Sequence, residues 1–341
     1  MEKESKKIQQ QLFAYLQELS PKRTPLVNDL MSILDLSKSG AYKKLNGESN
    51  LGLDDIIKLS RHYGFSIDQF IAERHNAIPF FVAAIRSQPK SYDEYLRNIY
   101  LHLDFIRGCK KVNMVYVTME VPIFYYLQFP LLCYFKLFVW NHTTWHIPNR
   151  AHRFSLEEFT NDKLLNDLMK SMLQEYYSYD GTELWNIRFL DITLDQIKYY
   201  AHSGIFEKKE DIESIYKEVE KLSRHLKKMA EVGYKFHMEK PDKPLGALTV
   251  HMNELMASTN TIYVTADNYK YVFTTIDPPN FIRCDDDRFA DYTENWINTS
   301  KKHSLMISGA GERERERTFR LITKKLERAK QELEGILSYI Y

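Results

Sequence analysis

LSKSGAYKKLNGESNLGL, residues 36–53, places Lys38, Lys43 and Lys44 in a stretch with no acid before Glu48. Two readings compete for it: a helix that enters a DNA groove, or a merely solvated one. On a helix, Ala41 and Leu45 lie four apart on one face with Leu36 leading in, ready to pack on the preceding segment that holds Leu30 and Leu34. Lys38, Ser39, Tyr42 and Lys43 then point the other way. A small, basic, hydroxyl-bearing face near a helix N-terminus suits the major groove, where Lys and Ser reach base edges and phosphates. Gly40 fits the same picture, because a glycine weakens a helix but permits close approach to a base methyl or backbone. Ser37 or Ser39 is the expected cap, and Gly47 the stop.

The flanking sequence reads as short helices throughout residues 8–71. Ile8, Leu12, Tyr15, Leu16 and Leu19 supply one apolar stripe, ended by Ser20-Pro21. Thr24-Pro25 starts a second helix, with Thr as cap and Pro at the first helical position, carrying Leu26, Val27, Leu30, Ile33 and Leu34. After the stretch at 36–47, a helix over 53–63 is expected to bury Ile56, Ile57 and Leu59 and to end at Gly64, followed by a short one over 66–71.

The order Leu30, Leu34, Leu36-Ser37-Lys38-Ser39, Asn46-Gly47, then Leu53 through Phe70 resembles the helix-turn-helix domain of lambda-repressor and Cro-like (XRE-type) regulators. Ala41-Tyr42-Lys43-Lys44 is similar to the BetR-type variant. The resemblance covers about residues 8–72, and Gly64-Phe65-Ser66-Ile67-Asp68 is its most specific part. It implies that Lys38 and Ser39 read bases, and that Tyr42 and Lys43 contact bases or phosphates. Three positions depart from the pattern: Asp35 where Gly is usual in the turn, Met31 where a small Ala is usual, and Lys44 where an apolar residue is common. They leave the rotation of the recognition helix open by about one residue. The region 78–341 more loosely resembles the C-terminal region of longer bacterial regulators of this type, in Pro122 through Pro130, Phe135-Lys-Leu-Phe138 and Leu305-Met-Ile-Ser308, which adds no site.

Composition sets the bounds. The chain has 341 residues, 44% hydrophobic, so it can fill two or three cores. Its 47 Lys plus Arg against 46 Asp plus Glu give a net charge of +1, so any nucleic-acid contact must come from a local patch. Cys109, Cys133 and Cys284 are too few and too scattered for a disulfide framework or a zinc ribbon, and a reducing cytoplasm is the expected setting. The N-terminal MEKESKKIQQ lacks the apolar core of a signal peptide.

Residues 121–140, VPIFYYLQFPLLCYFKLFVW, have the length of a membrane span, since about 20 apolar residues cross a bilayer. Pro122, Pro130, Gln128 and Lys136 favour instead a buried helix broken near Pro130. Ser91 with Glu94, and Ser155 with Glu158, form capping boxes: one ahead of a helix to Gly108, the other ahead of one carrying Phe159, Leu165, Leu168, Met172 and Tyr176. Residues 112–121 read as a strand or as the approach to the aromatic helix, and 193–202 as helix. Ile212, Ile215, Val219, Leu222, Leu226 and Met229 form a heptad seam, as do Phe319, Ile322, Leu326, Ala329, Leu333 and Ile336. Each seam is suited to packing within the chain or between two copies. LTVHMNEL, NTIYVTAD and YKYVFTTID, about 248–277, alternate in strand fashion around turn signals at Ser258-Thr-Asn260 and Ala266-Asp-Asn268, closed by Asp277-Pro278-Pro279. They predict a small antiparallel meander, followed by a helix over about 286–302.

Other clusters are weaker. His142 and His146 lie four apart with His152 beyond, a spacing that suits two metal ligands, but no acid follows until Glu157. Cys284-Asp-Asp-Asp287 resembles a carboxylate site, yet acids ahead of a helix also favour its positive end. In GERERERTF, 311–319, Glu312–Arg315, Glu314–Arg317 and Glu316–Arg320 are expected to pair at about 0.3 kcal/mol each. The alternative is an arginine reaching a phosphate or an acidic partner. No glycine-rich phosphate loop or nucleophile elbow is visible, so neither catalysis nor a cofactor or metal is expected.

The expected fold is mainly α: an N-terminal five-helix helix-turn-helix domain over 1–75, a helical domain over 76–240, and a small antiparallel meander with two helices over 241–341. The expected function is a cytoplasmic transcriptional regulator binding double-stranded DNA as a homodimer. Its contacts are Lys38, Ser39, Gly40, Tyr42 and Lys43, and its C-terminal region is free for an effector. The alternative is a protein-interaction adaptor working through the heptad seams.

Overall fold

Leu12, Leu16, Leu30, Ala41 and Leu59 are almost wholly excluded from solvent and form the centre of the first of two compact units, Met1–Pro79 and Phe80–Tyr341. The computed structural model describes residues 2–19, 25–71, 78–82, 88–104, 106–148, 150–160, 162–255 and 260–340. In the first unit these form α1 (Glu2–Leu19), α2 (Leu26–Leu34), α3 (Lys38–Leu45), α4 (Leu53–Tyr63) and α5 (Asp68–Ile71). The buried stripe of α1 is Gln9, Leu12, Phe13 and Leu16, with Ile8 only half-buried. Tyr15 packs edge-on against Phe65 and Phe70. The expected signals Ser20-Pro21 and Thr24 lie outside the described residues. In α4 only Leu59 is fully buried; Ile57 is 38% exposed, a correction to the expected stripe. Gly64 ends α4 at φ 74°, a left-handed conformation that glycine adopts without strain.

The second unit is built on an eight-stranded mixed sheet among the described residues. Its strands are β1 (Phe81–Val82), β2 (Val112–Thr118), β3 (Asp180–Trp185), β4 (Leu248–Met252), β5 (Thr261–Ala266), β6 (Tyr269–Thr275), β7 (Phe281–Cys284) and β8 (Leu305–Met306), in spatial order β1-β7-β6-β5-β2-β3-β4-β8. The pairs β2–β3 and β3–β4 are parallel, and the rest are antiparallel. The expected small antiparallel sheet is therefore corrected: β5, β6 and β7 do form a meander, but LTVHM joins β3 in parallel. Parallel neighbours need long crossovers, and helices supply them. After β1 comes α6 (Tyr92–Asp104). Between β2 and β3 lie α7 (Ile123–Tyr126), α8 (Pro130–Trp140), α9 (Glu157–Thr160) and α10 (Lys163–Ser178). Between β3 and β4 lie α11 (Asp191–His202) and α12 (Lys209–Val232). The strands thus come from both sides of the expected boundary at residue 240 and share one sheet.

One sheet face carries the large core, to which Met114 and Tyr116 of β2, Trp185 of β3 and Val250 of β4 contribute. The other face holds a smaller cluster of Val115, Val117, Leu184, Tyr263 and Val272 under Ala290 and Ile297 of α13 (Asp287–Lys302). Strand β2 is buried on both faces from Met114 onward, which is why its sequence shows no alternation. Pro130 occupies the first turn of α8, so the aromatic run breaks there as expected, and no described helix is long and apolar enough to cross a membrane. The helix expected from Ser155 is two: α9 is a single turn, and α10 starts afresh where Asp162 accepts from the Leu165 amide at 2.9 Å. The heptad seams of α12 and of α14 (Glu312–Ile340) are both buried, and the two helices pack together, with the Tyr216 hydroxyl donating to the Leu326 carbonyl. Lys325 to Asp191 at 2.9 Å and Lys198 to Glu332 at 3.0 Å fasten α14 to α11.

Candidate nucleic-acid interface

The helix α3 is oriented by its two ends. Asp35 closes α2 with φ 59°, left-handed, while the Leu36 amide donates to the Met31 carbonyl at 3.1 Å. Asp thus does here what Gly usually does in this turn. Ser37 is the cap: its side chain accepts from the Gly40 amide at 3.2 Å. At the other end Gly47, φ 72°, turns the chain, and the Glu48 amide donates to the Lys43 carbonyl at 2.8 Å.

Two side chains fix the rotation. Lys44 donates to Asp55 Oδ2 at 2.8 Å and to the Asn50 carbonyl at 2.9 Å, with 14% of its side chain exposed. Burial raises the Asp55 carboxyl, but hydrogen bonds from Lys44 and the Gly52 amide, with the charges of Lys44 and Lys58, outweigh it and hold the group below the ordinary carboxylate value. The buried Gln9 of α1 holds the loop beyond: its Nε2 donates to the carbonyls of Lys44 at 2.8 Å and Ser49 at 2.9 Å, and its Oε1 accepts from the Leu51 amide at 2.9 Å. Ala41 is 0% exposed on the inner face. Lys44 therefore stands in an inward position as an ion-pair partner, which is how a lysine occupies a site where an apolar residue is common.

The outer face carries Lys38, Ser39, Tyr42 and Lys43, all exposed, Tyr42 by 47%. Among the described residues neither Lys38 nor Lys43 has an ion-pair partner. Gly40 does not join that row. It is half-buried beside its own cap, and a Cβ there would sit 3.4 Å from Ser37 Oγ and 3.7 Å from Leu36 Cβ, ordinary contact distances, so the fold itself does not require glycine. Asn46, three residues beyond Lys43 and four beyond Tyr42, is exposed on the outer face and lies 3.4 Å from Glu48. Its spacing was the available signal, and the Asn-Gly turn motif obscured it.

The other clusters are structural. His142 Nδ1 lies 3.0 Å from the Tyr200 hydroxyl, His146 ends a π turn at φ 54°, and no group of His, Cys, Asp and Glu able to hold a metal occurs among the described residues. Asp286 caps α13 by accepting from the Arg288 amide at 2.9 Å, and Cys284 is buried on β7. In the arginine-rich run Arg315 is 5% exposed and donates to the carbonyls of Ile307 and Gly309, both at 3.0 Å, so it is not available to a phosphate. Arg317 and Glu314 pair at 3.5 Å as expected, whereas Glu316 turns to Lys227 at 2.8 Å.

Sequence reading gave no sign of the most densely bonded polar group, Glu183 on β3. Only 1% exposed, it accepts from Tyr125 at 2.5 Å, Tyr176 at 2.8 Å and Trp185 Nε1 at 2.7 Å. Burial raises its carboxyl, opposed by the charge of Lys235. Burial in turn pushes Lys235 down to about 8, and its Nζ donates to the Tyr179 carbonyl at 2.8 Å. All these side chains are enclosed in the core, so the cluster serves the fold.

Comparison with protein-family models, with curated proteins and with solved structures found no match for this chain.

Proposed function

We propose that the first unit binds double-stranded DNA with α3 in the major groove, and that the protein is a sequence-specific transcriptional regulator. The observation that carries this reading is the polarity of α3. Ala41 and Lys44 are tied inward, and the unpaired Lys38 and Lys43 are presented outward with Ser39 and Tyr42. A short helix with a close-packed inner face and a cationic, hydroxyl-bearing outer face enters a groove without rearrangement. A single unit offers few contacts, so a homodimer on a near-palindromic site completes the reading. The heptad seams are occupied within the chain, which leaves that role to another surface. Leu53, 74% exposed, and Ile57 lie one turn apart on α4 between Asp54 and Lys58, a patch with both signs of charge that suits a two-fold contact.

Selection of bound duplexes from a random pool tests the reading. The expected result is a recovered motif with two half-sites about 10 base pairs apart. Recovery of no motif would overturn it.

A further inference from the structure

Helix α12 has two sides of opposite character. Ile212, Ile215, Val219, Leu222, Leu226 and Met229 are buried in the core. On the opposite side Lys217, Lys221, Arg224 and Lys228 follow at steps of 4, 3 and 4, and all are exposed. At about 100° per residue these four fall within one narrow face, and at 1.5 Å per residue they extend over about 16 Å. Among the described residues Lys217, Lys221 and Arg224 have no ion pair, while Lys228 holds Glu231 at 3.1 Å with both side chains about half exposed. Glu218, on the buried side, is engaged by the Leu132 amide at 2.9 Å. In a chain of net charge +1 this row is a local concentration of cations, not a sample of a general excess.

We propose that the α12 row binds the phosphodiester backbone of duplex DNA, without sequence preference. Phosphate binding needs cations at short intervals along a line and draws its affinity from released counterions, with no apolar anchor required. The row supplies cations about 5 Å apart along the helix axis and no exposed apolar residue among them. That composition disfavours a lipid surface, because the apolar side of α12 is fixed in the core and has nothing to insert. It equally disfavours a folded acidic partner, whose interface would centre on buried aromatic or aliphatic anchors. The inference concerns a surface separate from α3 and does not depend on it.

The test is the salt dependence of binding to a duplex of scrambled sequence, measured on the full chain by fluorescence anisotropy. Replacing Lys217→Gln, Lys221→Gln and Arg224→Gln together is expected to weaken binding and to lower the slope of log affinity against log salt by about 2.7, near 0.9 for each cation. Lys217→Arg with Lys221→Arg keeps the charges and is expected to keep both affinity and slope. Because all these side chains are exposed, each variant is expected to melt with the wild type. An unchanged slope in the triple variant overturns the proposal, as does a wild-type chain that ignores the duplex. It is overturned too if the triple variant loses binding only to phosphatidylserine vesicles. Lys38→Ala with Lys43→Ala in the same assay separates the two surfaces: failure of the row leaves the α3 reading standing, and the reverse holds.

Discussion

Lys44 on α3 and Asp55 on α4 meet at 2.8 Å, and this pair decides which way the candidate recognition helix faces. With both side chains about a fifth exposed or less, Lys44→Ala is expected to loosen α3 by roughly 1 kcal/mol, read as faster hydrogen exchange of the α3 amides. The pair also carries a pH dependence. Asp55 is held below its ordinary value in the folded chain, so its contribution is fully present above about 3.9 and is lost as pH falls through the lower folded value. Asp55→Asn is expected to remove that step, and an unaltered acid limb of the stability curve would contradict it.

Gln9 holds three backbone groups of the loop after α3. Gln9→Ala leaves two carbonyls and an amide short of partners, an expected cost of roughly 2 kcal/mol. The Leu51 amide reports it directly, and unchanged exchange there would show that water replaces the side chain.

Asp35 sits at φ 59°, where an L-residue other than Gly or Asn is strained. Asp35→Gly is expected to stabilise the first unit by about 1 kcal/mol, measured by chemical denaturation. A loss of stability would mean that the Asp35 side chain contributes more than its backbone costs.

What was legible in the sequence is what local chemistry encodes. Ser37, Gly47 and Gly64 act within a few residues of themselves, so the ends of α3 and α4 could be placed from sequence alone, as could the break at Pro130. The outward direction of Lys38, Ser39, Tyr42 and Lys43 followed from the inward pull of Ala41. The inward position of Lys44 did not, because its partner lies eleven residues on and a lysine reads by default as solvated. Strand β3, DGTELW, was invisible for the same reason on a larger scale. Its Asp, Gly and Glu argue against a strand until Tyr125, Tyr176 and Lys235 are brought to Glu183 by the fold. The sheet grew from the expected antiparallel meander to eight mixed strands because parallel pairing depends on crossovers that leave no local signature.

His225 on α12 lies buried against Phe129 and Phe236, 3.2 Å from the Tyr177 hydroxyl. Burial, aided by the charge of His237, pushes its imidazole down to about 4. The unfolded chain therefore binds this proton first. Stability is expected to hold above about 6.5 and to fall by up to about 1.4 kcal/mol per pH unit between there and 4. Urea denaturation at a series of pH values is expected to show a shallower fall for His225→Leu, and parallel curves would contradict the assignment.

The central claim is that the outer face of α3 touches DNA, and the salt dependence of binding to a selected duplex tests it most directly. For Lys38→Ala with Lys43→Ala the account predicts weaker binding and a slope lower by about 1.8, near 0.9 for each lysine. Equal affinity and equal slope in wild type and variant would contradict it.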